Sequence, residues 1–187
     1  LRIKSVTAEE FGRSFFDVAH TLSFRTVTHV LHTAAMNNMP ITPNDVAKVN
    51  KCIASTKYCS NRSASRLLNS IRAMTQHDEN VNEYLKNIAV ALQFNNMPRL
   101  SSIEVGSSMF GIGKLKRKLP HYYTIVGLLA NKMHQTNEPY RSGDLAQAMF
   151  AVRNMSTDSP EECNLLSALA IHINKCTEPF TPKQLAL

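Results

Sequence analysis

The feature that most constrains the fold is a pair of amphipathic helices that recurs along the chain. The pair is clearest between residues 142 and 173, where apolar side chains return every three or four positions in two successive segments. Such spacing places them on one face of each helix and indicates a helix hairpin. Ser159, Pro160 and Glu162 predict where the second helix begins, since Ser with Glu three residues later forms a capping box and Pro suits the first helical position. The apolar stripe predicted for that helix is Leu165, Leu166, Leu169, Ala170 and Ile173.

A shift of about forty positions lays this hairpin on other parts of the chain. The aligned pairs are Met109-Phe110 with Met149-Phe150, Pro120 with Pro160, Glu138-Pro139-Tyr140 with Glu178-Pro179-Phe180 and, two periods back, Ile71-Arg72 with Val152-Arg153. The chain is therefore predicted to be all-α, an α-solenoid of about five antiparallel helix pairs with a period near 40 residues. Capping signals predict helix starts at Thr7, Thr42, Ser101, Ser159 and Thr181.

The repeats form one predicted domain but differ in clarity. Residues 1–187 are interpreted as a single helical-repeat array, degenerate in 1–100 and clearer in 101–187. Because the chain begins without Met and stops just after the helix start at Thr181, it is expected to be a fragment of a longer protein with a weak C-terminal edge. Thr42 precedes Pro as Thr181 does, but the 139 positions between them are about three and a half periods. The phase of the Thr42 helix is therefore left open.

Three glycines fall within the helix predicted to begin at Ser101. Gly106, Gly111 and Gly113 each cost roughly 1 kcal/mol relative to Ala inside a helix. Their presence predicts either close packing against a neighbour or a locally weak helix.

Composition excludes several other classes of protein. The chain has no strictly alternating segment and no Asn-Gly or Asp-Gly turn, so no β-sheet is predicted. It has no run of about 18 apolar residues, so it is expected not to enter a membrane. The cysteines form no CxxC pair, which argues against a zinc site and predicts reduced, packed thiols. These cysteines are Cys52, Cys59, Cys163 and Cys176.

Positive charge is concentrated in two stretches that contain no Asp or Glu. The first covers residues 46–77 and the second covers residues 105–137, whereas the rest of the chain is net acidic. Segregated charge of this kind favours a polyanionic partner such as RNA. The candidate RNA-binding residues are Lys48, Lys51, Lys57, Arg62, Arg66, Arg72, Lys114, Lys116, Arg117, Lys118 and Arg153.

Two of these candidates, Arg72 and Arg153, occupy the same repeat position, which Gly113 fills in the middle unit. Recurring cations on successive first helices predict a row of phosphate contacts, with a solvated helix face as the equally weighted alternative. The aromatic residues considered for base stacking are Tyr58, Tyr122 and Tyr140.

The sequence contains no recognisable catalytic equipment. His29 and His32 stand three positions apart without a matching third metal ligand, so a surface or packing role is favoured over a metal site. There is no Ser-His-Asp order, no Gly-rich phosphate loop and no paired-carboxylate motif. The chain is therefore expected to be neither an enzyme nor a cofactor-binding protein.

The segment AMFAVRNMSTDSPEECNLLSALA, residues 148–170, resembles the helical repeats of octotricopeptide-type organellar RNA-processing proteins. That group includes mitochondrial helical-repeat proteins of kinetoplastid guide-RNA editing assemblies. The resemblance is specific over 144–173, fair over 103–133 and weak before about residue 63. It implies an α-solenoid in mitochondrial or other organellar RNA metabolism, without catalytic residues.

Two functions follow as hypotheses. The first is a solenoid that binds RNA, in particular single-stranded RNA, through basic helix faces inside a ribonucleoprotein complex. The second is a scaffold that holds other protein subunits of an RNA-editing or mitoribosomal complex without touching RNA. The basic stretches favour the first hypothesis, and the shortage of aromatic residues favours the second.

Overall fold

The computed structural model describes residues 15–56, 58–94, 99–115, 119–153 and 155–186. Within these ranges the chain is all-α, as predicted, and its only β feature is an isolated parallel bridge between Ile41 and Met74. Short 3-10 turns precede α1 and follow α3, at Ala19–Thr21 and Ile71–Ala73. The helices are α1 (Phe24–Met36), α2 (Pro43–Ala54), α3 (Asn61–Ser70), α4 (Glu79–Gln93), α5 (Ser102–Ile112), α6 (Pro120–His134), α7 (Ser142–Val152), α8 (Pro160–Lys175) and α9 (Pro182–Leu185).

The helices stack in two layers, the arrangement of an α-solenoid. In the first layer α1 packs on α3, α3 on α5, α5 on α7 and α7 on α9. In the second layer the turn at 19–21 packs on α2, and α2, α4, α6 and α8 follow in order. The described residues therefore contain four antiparallel pairs, α1–α2 to α7–α8, with one further element at each end. First-layer helices begin at residues 24, 61, 102, 142 and 182, so the interval is shorter between α1 and α3 than later.

The stacking resolves the phase of the helix at Thr42. Although Thr42 and Thr181 both precede Pro and both form a capping box, they open helices of different layers. Thr42 opens α2, which packs on α4 in the second layer, whereas Thr181 opens α9, which packs on α7 in the first. Each period contains one helix of each layer, so two helix starts that are three and a half periods apart belong to different layers.

The predicted caps are confirmed at Thr42, Ser101 and Thr181, while Thr7 lies outside the described residues. The prediction for Ser159 is half right. Its side chain accepts the backbone N–H of Glu162, but the Glu162 carboxylate does not return the bond to complete a capping box. Glu162 is instead fully buried and accepts the Tyr122 hydroxyl at 2.7 Å, because α6 packs directly against α8.

The buried stripes form one continuous core along the two layers. In α8 the predicted stripe is wrong on one side, since Ala170 is exposed and Leu166 is half-buried. The equivalent residues of α6, Val126 and Ala130, are buried because α6 has α4 on one side and α8 on the other. No further second-layer helix of the described chain covers the far side of α8. Its buried residues are Glu162, Leu165, Ala168, Leu169 and His172.

The glycines of α5 mark close packing between helix backbones. A Cβ built on Gly111 would lie 2.0 Å from the carbonyl oxygen of Leu68 in α3. On the opposite side, a Cβ on Gly106 would lie 2.9 Å from the carbonyl oxygen of Asp144, and one on Gly113 would lie 2.6 Å from Ala151 Cα. Both contacts are with α7. Of the two explanations offered by the sequence, close packing is the one the structure supports.

Polar side chains connect successive repeats at a separation close to one repeat. Tyr140 donates its hydroxyl to the Leu100 carbonyl at 3.2 Å, and its ring stacks on His172 with centroids 3.8 Å apart. His172 in turn donates from Nε2 to the Met133 carbonyl at 3.0 Å. Burial lowers the pKa of His172 below its usual value, so the neutral ring is the form that the packing selects.

The described residues bear on two expectations drawn from composition, the one about membranes and the one about the cysteines. None of the helices described is long and apolar enough to cross a membrane. All four cysteines are free, with Cys52 and Cys59 buried and Cys163 exposed. Burial raises the pKa of the Cys59 thiol to about 12, which keeps it protonated and unreactive.

We expect Gly111→Ala to lower the free energy of unfolding by about 3 kcal/mol, near the upper end for overpacked cores. The new methyl group would meet backbone atoms of α3, which cannot rotate away as a flexible side chain would. Gly127→Ala is the matched control, because a Cβ there makes only an ordinary contact of 3.5 Å with Glu161 Cγ. It should stabilise α6 by roughly 0.5 to 1 kcal/mol. Thermal and urea unfolding measure both, and equal stabilities for the two variants would contradict the close contact.

We also expect stability to fall as the pH is lowered from 7.5 to 5.5. His172 and His32 both have pKa values below the usual value of about 6.5, so the unfolded chain takes up protons first. Their contribution is complete above pH 6.5 and is lost as the pH falls through the folded-state pKa. His172→Phe keeps a ring against Tyr140 but cannot be protonated, so its melting temperature should depend less on pH. A melting temperature of His172→Phe that varies with pH as much as the parent's would contradict this role of His172.

Candidate nucleic-acid interface

The solvent face of the first layer carries most of the sequence-predicted RNA-binding residues that the structure describes. Equivalent positions of α1, α3, α5 and α7 line up across the layer when counted from the first residue of each helix. The sixth residues are His29, Arg66, Ser107 and Gln147, the ninth are His32, Asn69, Phe110 and Phe150, and the twelfth positions are Ala35, Arg72, Gly113 and Arg153. The face therefore carries histidines on α1 and arginines on α3, and becomes aromatic and cationic at the ends of α5 and α7.

Two half-buried phenylalanines form the centre of the second part of this face. Phe110, near the end of α5, and Phe150, near the end of α7, have ring centroids 5.7 Å apart and planes tilted by 33°. The neighbouring residue Met109 is turned into the core and is almost fully buried. Since adjacent helical residues point about 100° apart, Phe110 must lie at the edge of the buried stripe.

Three cations accompany these rings. The guanidinium of Arg72 lies 5.4 Å from the Phe110 centroid, and that of Arg153 lies 3.9 Å from the Phe150 centroid. Lys114 stands between the rings, with Nζ 5.3 Å from Phe110 and 4.8 Å from Phe150. These distances fall within the range of cation–π attraction. We call Arg72, Phe110, Lys114, Phe150 and Arg153 the cation–aromatic ladder.

Arg72 differs from the other two cations because it also supports the fold. Its Nε donates to the Ala35 carbonyl at 3.1 Å, and Nη2 donates to Asn38 Oδ1 at 3.5 Å. Asn38 has a φ of 53° and closes α1 in the left-handed conformation that often ends helices. Arg72 therefore ties the end of α1 to α3 while its guanidinium extends over Phe110.

A second cationic feature is a groove of about 700 Å³ between α1 and α3. We call it the α1–α3 groove. Arg25 and His29 reach it from α1, Arg62 and Arg66 from α3, and Tyr58 from the loop before α3. Tyr58 is 54% exposed, the highest exposure among the three tyrosines proposed for stacking. No acidic side chain is present among the described residues that line the groove.

His32 lies close to cations of both the groove and the ladder. Burial lowers the pKa of His32, and the charges of Arg66, His29 and Arg72 lower it further. Arg66 lines the groove and Arg72 belongs to the ladder, so the two features adjoin each other.

Other predicted residues do not join this surface. Lys48 and Lys51 lie on α2 in the second layer, and Lys48 forms an ion pair with Asp17 at 2.6 Å. The absence of acids along the sequence around Lys48 is thus offset by an acid from an earlier segment. Lys57, Lys116, Arg117 and Lys118 lie outside the described residues.

Of the three tyrosines considered for base stacking, only Tyr58 is exposed. Tyr122 and Tyr140 are almost fully buried, and their hydroxyls donate to Glu162 and to the Leu100 carbonyl, so neither ring can stack on a base. Phe110 and Phe150 are not among the residues that the sequence singles out for base stacking, since apolar residues in helical segments usually lie in the core. The available signal was that both pairs, Met109-Phe110 and Met149-Phe150, place two large apolar residues side by side. One member of each pair must lie at the rim of the buried stripe.

The described residues do not form a metal site. No group of three His, Cys, Asp or Glu side chains is placed to hold a metal ion within the ranges that the structure covers. His29 is exposed in the groove and His32 is half-buried beside it. Comparison of the chain with protein-family models, with curated proteins and with solved structures gives no match.

We expect the two ladder arginines to respond differently to substitution by Gln. Arg72→Gln removes the bond to the Ala35 carbonyl and should lower the free energy of unfolding by about 1 to 2 kcal/mol. Arg153→Gln removes an exposed side chain and should change stability by less than about 0.5 kcal/mol. Urea unfolding of the two variants tests the difference. Equal effects would show that the bond to α1 contributes nothing measurable.

Proposed function

We propose that this chain is a non-catalytic helical-repeat protein that binds single-stranded RNA along the solvent face of its first layer. The observation that carries the proposal is the cation–aromatic ladder. It brings two rings and three cations into one row, from the ends of α3, α5 and α7, which are neighbours in the first layer. Phosphates attract both lysine and arginine side chains, and bases stack on aromatic rings and on guanidinium planes.

A single strand fits this row better than a duplex. In a duplex the base faces are stacked on one another, so only phosphates and groove edges are available to side chains. The ladder alternates cations with rings, which is useful only to a ligand that presents phosphates and free base faces together. Phosphate contacts made by Lys114 and Arg153 carry no base preference, so the binding is expected to be largely independent of sequence.

The cellular setting follows from the resemblance of residues 148–170 to octotricopeptide-type repeats. We place the protein in mitochondrial or other organellar RNA metabolism, as one subunit of a ribonucleoprotein assembly that processes or edits RNA. Repeat proteins of this kind use an extended side-chain surface as the binding site, with no need for catalytic residues.

A second candidate function, a protein scaffold, is favoured by a separate observation on the second layer. Val90 and Phe94 lie one helical turn apart at the end of α4 and are 44% and 67% exposed. Exposed apolar side chains at helical spacing suit the face of a partner protein. This surface is on a different layer from the ladder, so both functions can coexist in one assembly.

We expect the double charge reversal Lys114→Glu with Arg153→Glu to weaken binding of single-stranded RNA about tenfold or more at physiological salt. The loss should be similar for all RNA sequences. The slope of log K against log salt should become shallower by roughly 1.4, because two phosphate contacts are removed. Fluorescence anisotropy across a salt series measures both quantities. The double change Phe110→Leu with Phe150→Leu should weaken binding without altering the slope, because it removes stacking and not charge.

The matched control is Lys86→Glu with Lys175→Glu, which changes the net charge equally but on exposed second-layer positions. It should leave RNA affinity within about twofold of the parent, since surface charges beyond a Debye length of about 8 Å are screened. If the ladder reversal leaves RNA affinity intact while Val90→Glu with Phe94→Glu abolishes association with a protein subunit in a ribonuclease-treated pull-down, the scaffold function replaces the RNA-binding one.

A further inference from the structure

We infer that the α1–α3 groove is a nucleotide subsite that binds one phosphate through Arg62 and Arg66 and stacks the attached base on Tyr58. The inference deepens the proposed function and rests on it, because the nucleotide is taken to belong to the strand held by the ladder. A free nucleotide presents the same chemistry, so the experiment below includes both sources.

The dimensions of the groove suit a single nucleotide. Its volume of about 700 Å³ lies in the middle of the range for sites that enclose small ligands, about 300 to 1,000 Å³. The groove is bounded by α1 and α3, whose positions are fixed by core packing, and not by loops alone. The walls of the site are therefore present before a ligand arrives.

The charge of the groove selects an anion. Arg62 and Arg66 are one helical turn apart on α3, and Arg25 faces them from α1. One guanidinium group can donate two parallel hydrogen bonds to a phosphate. Several guanidinium groups around one cavity also raise the positive potential inside it. None of the described lining residues supplies a competing carboxylate, in contrast to Lys48, whose charge is paired with Asp17.

The first turns of α1 and α3 also open on the groove. Phe24, Arg25 and Thr26 line it from α1, and Arg62 and Ser63 line it from α3. Neither first turn contains an acidic residue. Helix N-termini carry partial positive charge, so both helices add to the attraction that the arginines exert on a phosphate.

The aromatic part of the groove suits a base. Tyr58 is an exposed ring at the wall, and a tyrosine in this position gains little by packing on the core. Base stacking on an exposed aromatic residue is tolerant of sequence, which matches the behaviour expected of the ladder. Arg66 of the groove and Arg72 of the ladder are only six residues apart, on α3 and on the turn that follows it, so a strand leaving the groove has a short path to the ladder.

The absence of tryptophan from the chain allows a direct test. Tyr58→Trp places a single fluorescent reporter in the groove, and Phe94→Trp is the control at an exposed position of the second layer. Each variant is titrated with labelled single-stranded RNA, with adenosine monophosphate and with inorganic phosphate, while anisotropy of the labelled RNA records binding independently. RNA should quench the Tyr58→Trp emission over the concentrations that saturate the anisotropy, and leave Phe94→Trp unchanged. Adding Arg62→Gln and Arg66→Gln should weaken RNA binding about tenfold and abolish the quenching.

The outcomes separate the subsite from the proposed function. If RNA binds by anisotropy but the Tyr58→Trp emission does not change, the subsite is wrong and RNA binding by the ladder stands. If RNA does not bind but adenosine monophosphate quenches the reporter, the proposed function fails and the groove is a site for a free nucleotide. If only inorganic phosphate quenches the reporter, the groove binds a phosphate without stacking a base, and that part of the inference is wrong. If none of the three ligands quenches the reporter, the whole inference is overturned. Circular dichroism confirms that each variant remains folded.

Discussion

The contact between helix backbones at the glycines of α5 sets the spacing of the first layer, and the candidate interface depends on that spacing. Helices usually pack with axes 8 to 10 Å apart, and small residues at the contact bring them to the lower end of that range. With Gly111 against α3 and Gly106 and Gly113 against α7, α5 has such contacts on both sides. The rings of Phe110 and Phe150 consequently approach to 5.7 Å, and one lysine reaches both. A wider layer would leave the same residues as separate surface side chains.

The interior between repeats is joined by polar groups that take no part in the interface. Tyr122 donates to the buried carboxylate of Glu162, and Asn69 donates to the Ser107 carbonyl at 3.2 Å across the α3–α5 contact. Within the α3–α4 pair, the hydroxyl of Tyr84 is likewise enclosed and donates to the Leu67 carbonyl at 3.1 Å. All three bonds satisfy groups whose burial would otherwise be costly, and the first two also fix the register of one repeat on the next. Because they lie inside the stack, most ladder residues are free to change without loss of the fold. Arg72 is the exception.

The sequence predicts the local structure of this protein better than its contacts across the stack. Helix starts at Thr42, Ser101 and Thr181 depend on four neighbouring residues, so a capping pattern is enough to find them. The fate of Glu162 depends instead on a tyrosine forty positions away, which no local pattern reveals. The same reason applies to Lys48, because no local pattern reveals its ion pair with Asp17, thirty-one positions away. Arg72 and Arg153 can be found from the sequence because they recur at one repeat position, whereas Phe110 and Phe150 recur equally but are not singled out, since apolar residues in helical segments usually lie in the core.

In the folded chain, acidic and basic side chains are divided between the two layers, which the order of residues along the chain does not show. The helices α1 and α3 contain no acidic residue, and the single acids of α5 and α7, Glu104 and Asp144, lie in the first turn, away from the ladder. Both are engaged, Glu104 with the Ser101 N–H and Asp144 with the Ser102 hydroxyl. Acids are instead frequent on α4 and α8 of the second layer. Neighbouring helices are about 8 to 10 Å apart, close to one Debye length at physiological salt, so a phosphate that lies between two first-layer helices is within reach of the cations of both. An extended polyanion gains from every helix it crosses on this face, whereas a compact anion gains only from the two helices that border its site.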